Sequence, residues 1–328
     1  MNLNSNNLSI LVLLDLSAAF DTIDHKILLE TLKNWIGLSG PVLNWFRTYL
    51  TDREYFVMLG DLKSSTHSMP FGVPQGSILG PLFFCLYMIP LGVIIKKHNI
   101  NYHSYADDTQ LYISFSPDDH NSVNSLVNCI SDVNDWLSQN FLKLNQDKTE
   151  VLVFGEREAR ERLAVHLETL SLTCSYKAKN LGVILDSDLN FIPHFNSIRK
   201  SSFYHLKNIA KVLPLVNQSS KETLVHAFIT SRLDYCNSLF TGLSDKVLNT
   251  LQLIQNAAAR LITKTKKRAH IRPVLKSLHW LPIKYRIKFK VLLLVFKSFH
   301  GCAPEYISDM LPSISRIANL DHLVQISL

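Results

Sequence analysis

Asp107 and Asp108 stand side by side in "HSYADDTQLY", an otherwise apolar, strand-like run from His103 to Tyr112. Adjacent carboxylates repel, and neither is favoured inside a β-strand. A turn between two strands resolves the conflict, because a hairpin tip can hold both acids at a sheet edge facing a cleft. A bound divalent cation relieves the repulsion there, and oxygen-only ligands favour magnesium or manganese. Clamping a metal takes a further acid. Asp15 ends the buried strand "ILVLLD", where a carboxylate without a partner would be costly. Two strands carrying Asp15 and Asp107 side by side would make a two-metal site for in-line phosphoryl or nucleotidyl transfer. Taken alone, Asp108 reads as a solvated turn residue; Asp15, on its apolar strand, does not.

The elements that must position these acids are legible in outline. "ILVLLDL" (Ile10–Leu16) is a continuous apolar run and predicts a buried strand. "DHKILLETLKNW" has helical spacing at Ile27, Leu28, Leu32 and Trp35, with Asp24 as its cap. "GPVLNWFRTYL" predicts a second helix with Pro41 in its first turn. "REYFVMLG" and the residues after it resemble a strand pair. "GVPQGSILGPLFFCLYMIPLGVIIKK" is a loop opening a long buried helix. Its apolar core, Pro81–Ile95, is too short and too proline-broken for a membrane span. "INYHSYADDTQLYISF" is two strands around a turn, and "DDHNSVNSLVNCISDVNDWLSQN" an amphipathic helix. "KTEVLVFG" is a strand and "KNLGVILDSDLNF" a hairpin. From about Pro193 onward basic amphipathic helices dominate: "FNSIRKSSFYHLKNIAKVL", "KETLVHAFITSRLDYCNSLF" and "KVLNTLQLIQNAAARLITKTKK".

The charge is divided unevenly over the 328 residues. Residues 1–155 carry 9 Lys+Arg against 15 Asp+Glu, a balance of −6; residues 156–328 carry 25 against 12, a balance of +13. A basic half of that size calls for a polyanion, with nucleic acid favoured over a merely solvated surface. With 47% hydrophobic and 19% charged residues, the chain has a globular rather than a disordered composition. The five cysteines form no C-x-x-C pair, so neither a zinc knuckle nor a disulfide framework is indicated, and a reducing compartment is the default. His25 and His103 lie near the acids but belong to no metal-ligating pattern, and they read as packing or surface residues. Ser17 and Ser77 have no Ser-His-Asp context.

Five stretches in order, "LLDLSAAFDTIDH", "GVPQGSILGPLFF", "YADD", "LNQDKTEVLVFG" and "NLGVILDSDLNF", resemble the palm motifs of reverse transcriptases, most closely those of non-LTR (LINE-type) retrotransposons of the jockey and chicken-repeat kind. The likeness is strong over about residues 8–190. The stretch "LQLIQNAAARLITKTKKRAHIRPVLKSLHWLPIKYRIKFK" is similar to the thumb and downstream region of the same elements. The resemblance implies an α+β fold: a right-hand palm, an antiparallel sheet backed by helices, then a helical thumb. Its divisions would be a short tail (1–9), the palm with partial fingers (10–190) and the thumb with the C-terminal region (191–328). It implies an RNA-directed DNA polymerase that extends a primer 3′-hydroxyl with dNTPs on an RNA template. Two Mg2+ or Mn2+ ions would serve as cofactors, with no small-molecule cofactor and no membrane partner. An intracellular, nuclear and cytoplasmic, location goes with the family.

Carried over residue by residue, Asp15 and Asp107 match the metal-binding aspartates, the Leu16 carbonyl a main-chain metal ligand, and Asp108 the less directly involved acid of the Y-x-D-D turn. Phe20 falls at the aromatic gate beneath the sugar; by itself it would read as a core phenylalanine. Gln75 and Gly76 of "PQG" match the loop lining the incoming-nucleotide pocket. Lys148 matches the lysine associated with protonating the leaving pyrophosphate. Leu181, Gly182 and Val183 match the hairpin that grips the primer terminus, and Lys200, Lys207 and Lys211 would follow a duplex backbone. The chain opens almost directly on the Asp15 strand, so the fingers are expected to be largely missing and the polymerase truncated. An inactive remnant that at most binds nucleic acid is the alternative expectation.

Overall fold

The computed structural model describes residues 7–73, 76–117, 119–170 and 172–311. The chain divides into two compact units, residues 1–189 and 190–328. The first is α+β. Strand β1 (Leu8–Leu14) is followed by the two-residue β2 (Leu16–Ser17), then by helices α1 (His25–Asn34) and α2 (Gly40–Leu50). Four two-residue strands come next: β3 (Glu54–Tyr55), β4 (Met58–Leu59), β5 (Leu62–Lys63) and β6 (His67–Ser68). They nest as two pairs, β3 with β6 and β4 with β5. Helices α3 (Gly80–Tyr87) and α4 (Ile89–Lys97) lead into β7 (Asn101–Tyr105) and β8 (Asp108–Phe115). The unit continues with α5 (His120–Gln139), β9 (Lys143–Leu144), β10 (Glu150–Phe154), α6 (Arg157–Thr169), β11 (Lys177–Asn180) and β12 (Val183–Asp186).

The central sheet has the order β10-β1-β8-β7, antiparallel throughout. β1 lies inside it with both faces covered, which is why its sequence is continuously apolar rather than alternating. Ile10, Val12, Leu14, Leu111, Val151 and Val153 face the main core. Leu28 and Leu32 of α1, Phe83 and Phe84 of α3, and Val133 and Leu137 of α5 meet them there. Leu11, Leu152 and Phe154 on the other face are covered by Ala178 of the β11–β12 hairpin, with Leu185 and Leu189 beside it. Each fully buried Leu or Phe contributes about 1.5–3 kcal/mol, so both faces are strongly specified.

Local rules account for the helices. Asp24 caps α1 by accepting from the Ile27 amide at 2.9 Å, and Pro41 sits in the first turn of α2. The single long helix expected after the glycine-rich loop is instead two helices meeting at Met88. Pro90 lacks the amide needed to continue the ladder from α3. By length and composition Gly80–Lys97 would pass as a membrane span, but Phe83, Phe84, Tyr87, Leu91 and Ile95 are core residues. The buried strand expected over Ile10–Leu16 also breaks, at Asp15, where the chain leaves β1 and pairs Leu16 with Leu144. Helix α6 was not expected. It is highly charged and buries only Leu163 and Leu167, so its apolar stripe is faint.

The second unit is helical: α7 (Ile192–Val212), α8 (Gln218–Val225), α9 (Ser231–Asp234), α10 (Asp245–Thr263), α11 (Arg272–Ser277), α12 (Ile283–Phe299) and α13 (Glu305–Ser308). α7 buries Phe195, Ile198, Leu206 and Ile209, and α10 buries Leu248, Leu251, Ile254, Ala258 and Ile262. The "KETLVHAFITSRLDYCNSLF" helix is not continuous. A π-turn over His226–Thr230 separates α8 from α9, and Cys236 then takes a left-handed φ of 50°.

Candidate active site

Tyr105 pairs with Asp108, so Ala106 and Asp107 form a two-residue turn between β7 and β8. Ala106 takes φ 52°, a conformation that favours glycine and costs an alanine about 1–2 kcal/mol. The hairpin thereby places both acids at the sheet end, as their incompatibility with a strand interior requires. On the neighbouring strand Leu14 pairs with Thr109, so Asp15 and Asp108 are the next residues outward, just past the last β1–β8 pair. The two strands sharing this end are β1 and β8, with Asp107 in the turn rather than on a strand.

Asp15 is 27% exposed, yet its Oδ2 is buried and accepts no hydrogen bond. Lys148 Nζ stands 3.4 Å from that oxygen as an ion pair. The backbone assists: Asn145 donates its amide to the Asp15 carbonyl at 2.8 Å, hanging the 3-10 turn Gln146–Lys148 on the same residue. Partial burial, reinforced by the negative charges of Asp107 and then Asp15, raises the Asp108 carboxyl above the usual carboxylate range. The negative charges of Asp107 and Asp15 thus disfavour the ionised form of Asp108. Among the described residues no group of three His, Cys, Asp or Glu side chains is arranged to hold a metal by itself. The under-coordinated Asp15 oxygen and the crowded Asp107–Asp108 pair nevertheless fit the oxygen donors of a hard divalent cation that takes its remaining ligands from water or substrate.

This electrostatics has a testable sign. A raised carboxylate pKa means that the folded protein holds the proton more tightly than the unfolded chain. Stability therefore falls as pH rises from the usual carboxylate value through the folded one. In metal-free protein, Asp108→Asn is expected to raise Tm at neutral pH, with the gain disappearing below about pH 3.9, the unperturbed aspartate value. Manganese should reverse the order by stabilising wild type more than the variant. Thermal melts across pH with and without the ion check this, and a lower Tm for metal-free Asp108→Asn at pH 7 would refute it.

Phe20 is partly buried against the main core, its ring centroid 4.9 Å from that of Phe84. Its carbonyl accepts from the Val73 amide at 3.0 Å, and the Gly72 amide donates to the Ile23 carbonyl at 2.7 Å. His25, a buried packing residue, bonds through Nε2 to the Gly72 carbonyl at 2.6 Å. Gly72 is forced at this junction: φ is 79°, and a Cβ would lie 2.9 Å from the Asp21 carbonyl oxygen. The glycine-rich loop thus starts from a fixed anchor beside Phe20. Gln75, like Pro74, lies outside the described residues; Gly76 is exposed at φ 81° with open space where a Cβ would be.

Leu181 (φ 44°) and Gly182 (φ 85°) form the two-residue turn of β11–β12, and Val183 is buried. Gln110 Nε2 donates to Asn180 Oδ1 at 2.9 Å, joining this turn to β8. Arg160 of α6 donates to the Ser187 carbonyl and to Asp188 Oδ1, both at 2.8 Å, and Tyr176 also donates to Asp188. The Tyr176 and Arg160 hydrogen bonds lower the Asp188 pKa. Sequence reading missed these ties, since nothing in a lone Gln, Asn, Arg or Tyr signals a partner 28 or 70 residues away. In the second unit, Lys200, Lys207 and Lys211 are exposed on one face of α7, with the exposed rings of Phe203 and Tyr204 among them.

A family model described as "Reverse transcriptase (RNA-dependent DNA polymerase)" matches residues 2–185. The chain is 28% identical over 258 residues to the "Probable RNA-directed DNA polymerase from transposon X-element" of Drosophila melanogaster, covering 76% of this chain and 28% of that protein. It is likewise 28% identical over 264 residues to the "Probable RNA-directed DNA polymerase from transposon BS" of the same organism, covering 77% and 28%. The chain therefore spans under a third of the length of these relatives. Among solved structures, telomerase from Candida albicans in complex with a telomeric RNA fragment aligns at TM-score 0.43 and 13% identity, covering 84% of this chain and 51% of that one.

Proposed function

The chain belongs to the reverse transcriptase (RNA-dependent DNA polymerase) family, and from that premise we propose that its first unit carries the centre for adding dNTPs to a DNA primer on an RNA template. The observation that carries this reading is the acidic end of the sheet, where Asp15, Asp107 and Asp108 meet beside Lys148. Members of this family generally use divalent metal ions. Asp15, Asp107 and the Leu16 carbonyl would hold two of them, with Asp108 contributing charge. When bound, such ions polarise the α-phosphate and lower the pKa of the attacking hydroxyl.

The remaining roles belong to the chain itself. The primer 3′-oxygen forms the new bond to the α-phosphorus, and the bond to pyrophosphate breaks. Lys148, paired with Asp15, would give its proton to the leaving pyrophosphate, help worth roughly 10²–10⁴ in rate. Phe20 would lie under the sugar, Gly76 would line the nucleotide pocket, and Leu181–Val183 would hold the primer end. The test is primer extension on poly(rA)/oligo(dT) with Mg2+ or Mn2+, using this chain and a version lengthened to the span of its relatives. Incorporation of dT by either supports the reading; none by both overturns it.

The lysine face of α7 would supply nucleic-acid affinity. Each phosphate contact contributes a slope of about −0.9 in log K against log salt on B-form DNA. Replacing Lys200, Lys207 and Lys211 together by Gln is expected to flatten the slope by roughly two to three units, measured by fluorescence anisotropy. A slope unchanged by the triple substitution would remove these lysines from the interface.

A further inference from the structure

We propose that Gln110 is a positioning residue: its hydrogen bond to Asn180 sets where the β11–β12 turn stands relative to the acids, and so where the primer terminus lies. The proposal rests on the polymerase reading of the acidic site.

Gln110 shares a strand and a face with Asp108, two residues or about 7 Å away. Its partner across the ladder is Leu13, which stands two residues before Asp15. The Leu13–Gln110 pair therefore lies one pair inside Leu14–Thr109, the last pair before Asp15 and Asp108. Asn180 pairs with Val183 and closes the turn that carries Leu181 and Gly182. Both turn residues have positive φ, so the turn is a stiff two-residue unit whose position follows that of Asn180. Gln110 Nε2 to Asn180 Oδ1, 2.9 Å, thus spans the gap between the carboxylate row and the turn.

Further contacts hold the base of the hairpin. Ala178 and Leu185 rest on Leu11, Leu152 and Phe154, and the Arg160–Asp188–Tyr176 cluster binds the base. Apolar contacts are non-directional and tolerate small shifts. A hydrogen bond between neutral amides weakens steeply with angle and does not. The base contacts keep the hairpin on the sheet, and the amide pair ties its tip to β8.

The test uses near-isosteric variants: Gln110→Met, Asn180→Leu, the double variant, and the swapped pair Gln110→Asn/Asn180→Gln. Losing one net hydrogen bond corresponds to about a fivefold effect. Each single variant is expected to raise KM for primer–template about fivefold while leaving kcat at saturating primer and Tm nearly unchanged. The double variant should be no worse than either single, and the swapped pair should recover a large part of the loss. Losses that multiply in the double variant, or that fall on kcat with primer KM unchanged, overturn the proposal. Hydrogen exchange over residues 177–186 needs no substrate and separates two failures. Equal loss of protection in single and double variants, in a protein that extends no primer, means that the tie exists and the polymerase reading fails. Unaltered exchange in every variant means that the tie itself is wrong.

Discussion

Asp15→Asn and Asp107→Asn are each expected to reduce primer extension by at least about 10²–10³-fold, the scale of removing one preorganised electrostatic contact to a developing transition-state charge. Both substitutions keep the shape of the side chain and remove one negative charge from a crowded site. The buried Oδ2 of Asp15, which faces Lys148 but accepts no hydrogen bond, is the atom whose replacement matters most, because an amide presents either a weaker acceptor or a donor there. A structural role predicts the opposite balance. If Asp15 mainly held Lys148 and the Asn145 turn in place, the variant would melt at lower temperature while activity fell only in proportion to unfolding. A metal-binding role predicts an unchanged or higher Tm without metal, weaker manganese affinity by calorimetry, and lost turnover. Activity within tenfold of wild type in either variant would refute the assignment. Asp108→Asn should cost less, because Asp108 contributes charge to the site rather than a direct metal contact.

Phe20→Val is the second large expected effect. A valine keeps an apolar side chain at the position and removes the ring that would meet a ribose 2′-hydroxyl. Discrimination against rNTPs in a protein that extends primers should fall roughly tenfold or more, the order of a steric difference worth 1–3 kcal/mol. The same ring packs on Phe84, so stability should drop by about 1–3 kcal/mol as well. The two effects are separable. Competition between dTTP and UTP at a temperature well below the melting point reads selectivity, and a urea titration reads packing. Lost stability with an unchanged dTTP-to-UTP ratio would leave Phe20 as a core residue and nothing more.

Where the fold was legible in the sequence, a local rule was strong. β1 announced itself by an unbroken apolar run, α1 by Asp24 at its cap, the β7–β8 turn by two acids that no strand interior would accept. Where it was not legible, either two rules competed or the decisive partner lay far along the chain. The apolar run through Met88 signals a helix more strongly than Pro90 signals its interruption. α6 hides two buried leucines among charges. The π-turn at His226–Thr230 leaves the amphipathic pattern nearly intact while shifting its phase. The candidate site divides in the same way. Its acids could be found because a carboxylate in an apolar run is expensive and therefore informative. Gln110, Asn180, Arg160 and Asp188 are ordinary surface residue types, and only their juxtaposition gives them meaning.

The central place of β1 also governs when the protein can become itself. Ser9 on β1 meets Ser114 on β8 105 residues later, and the other flank, β10, comes later still. At roughly 5–20 residues per second, a ribosome takes on the order of 5–20 s to supply the first of these partners. For that interval an almost entirely apolar strand has both edges open. The same residues that make β1 the natural support for Asp15 make it the segment most exposed to wrong pairing during synthesis. Chaperone demand and soluble yield should therefore respond to substitutions in β1 out of proportion to their effect on the finished fold.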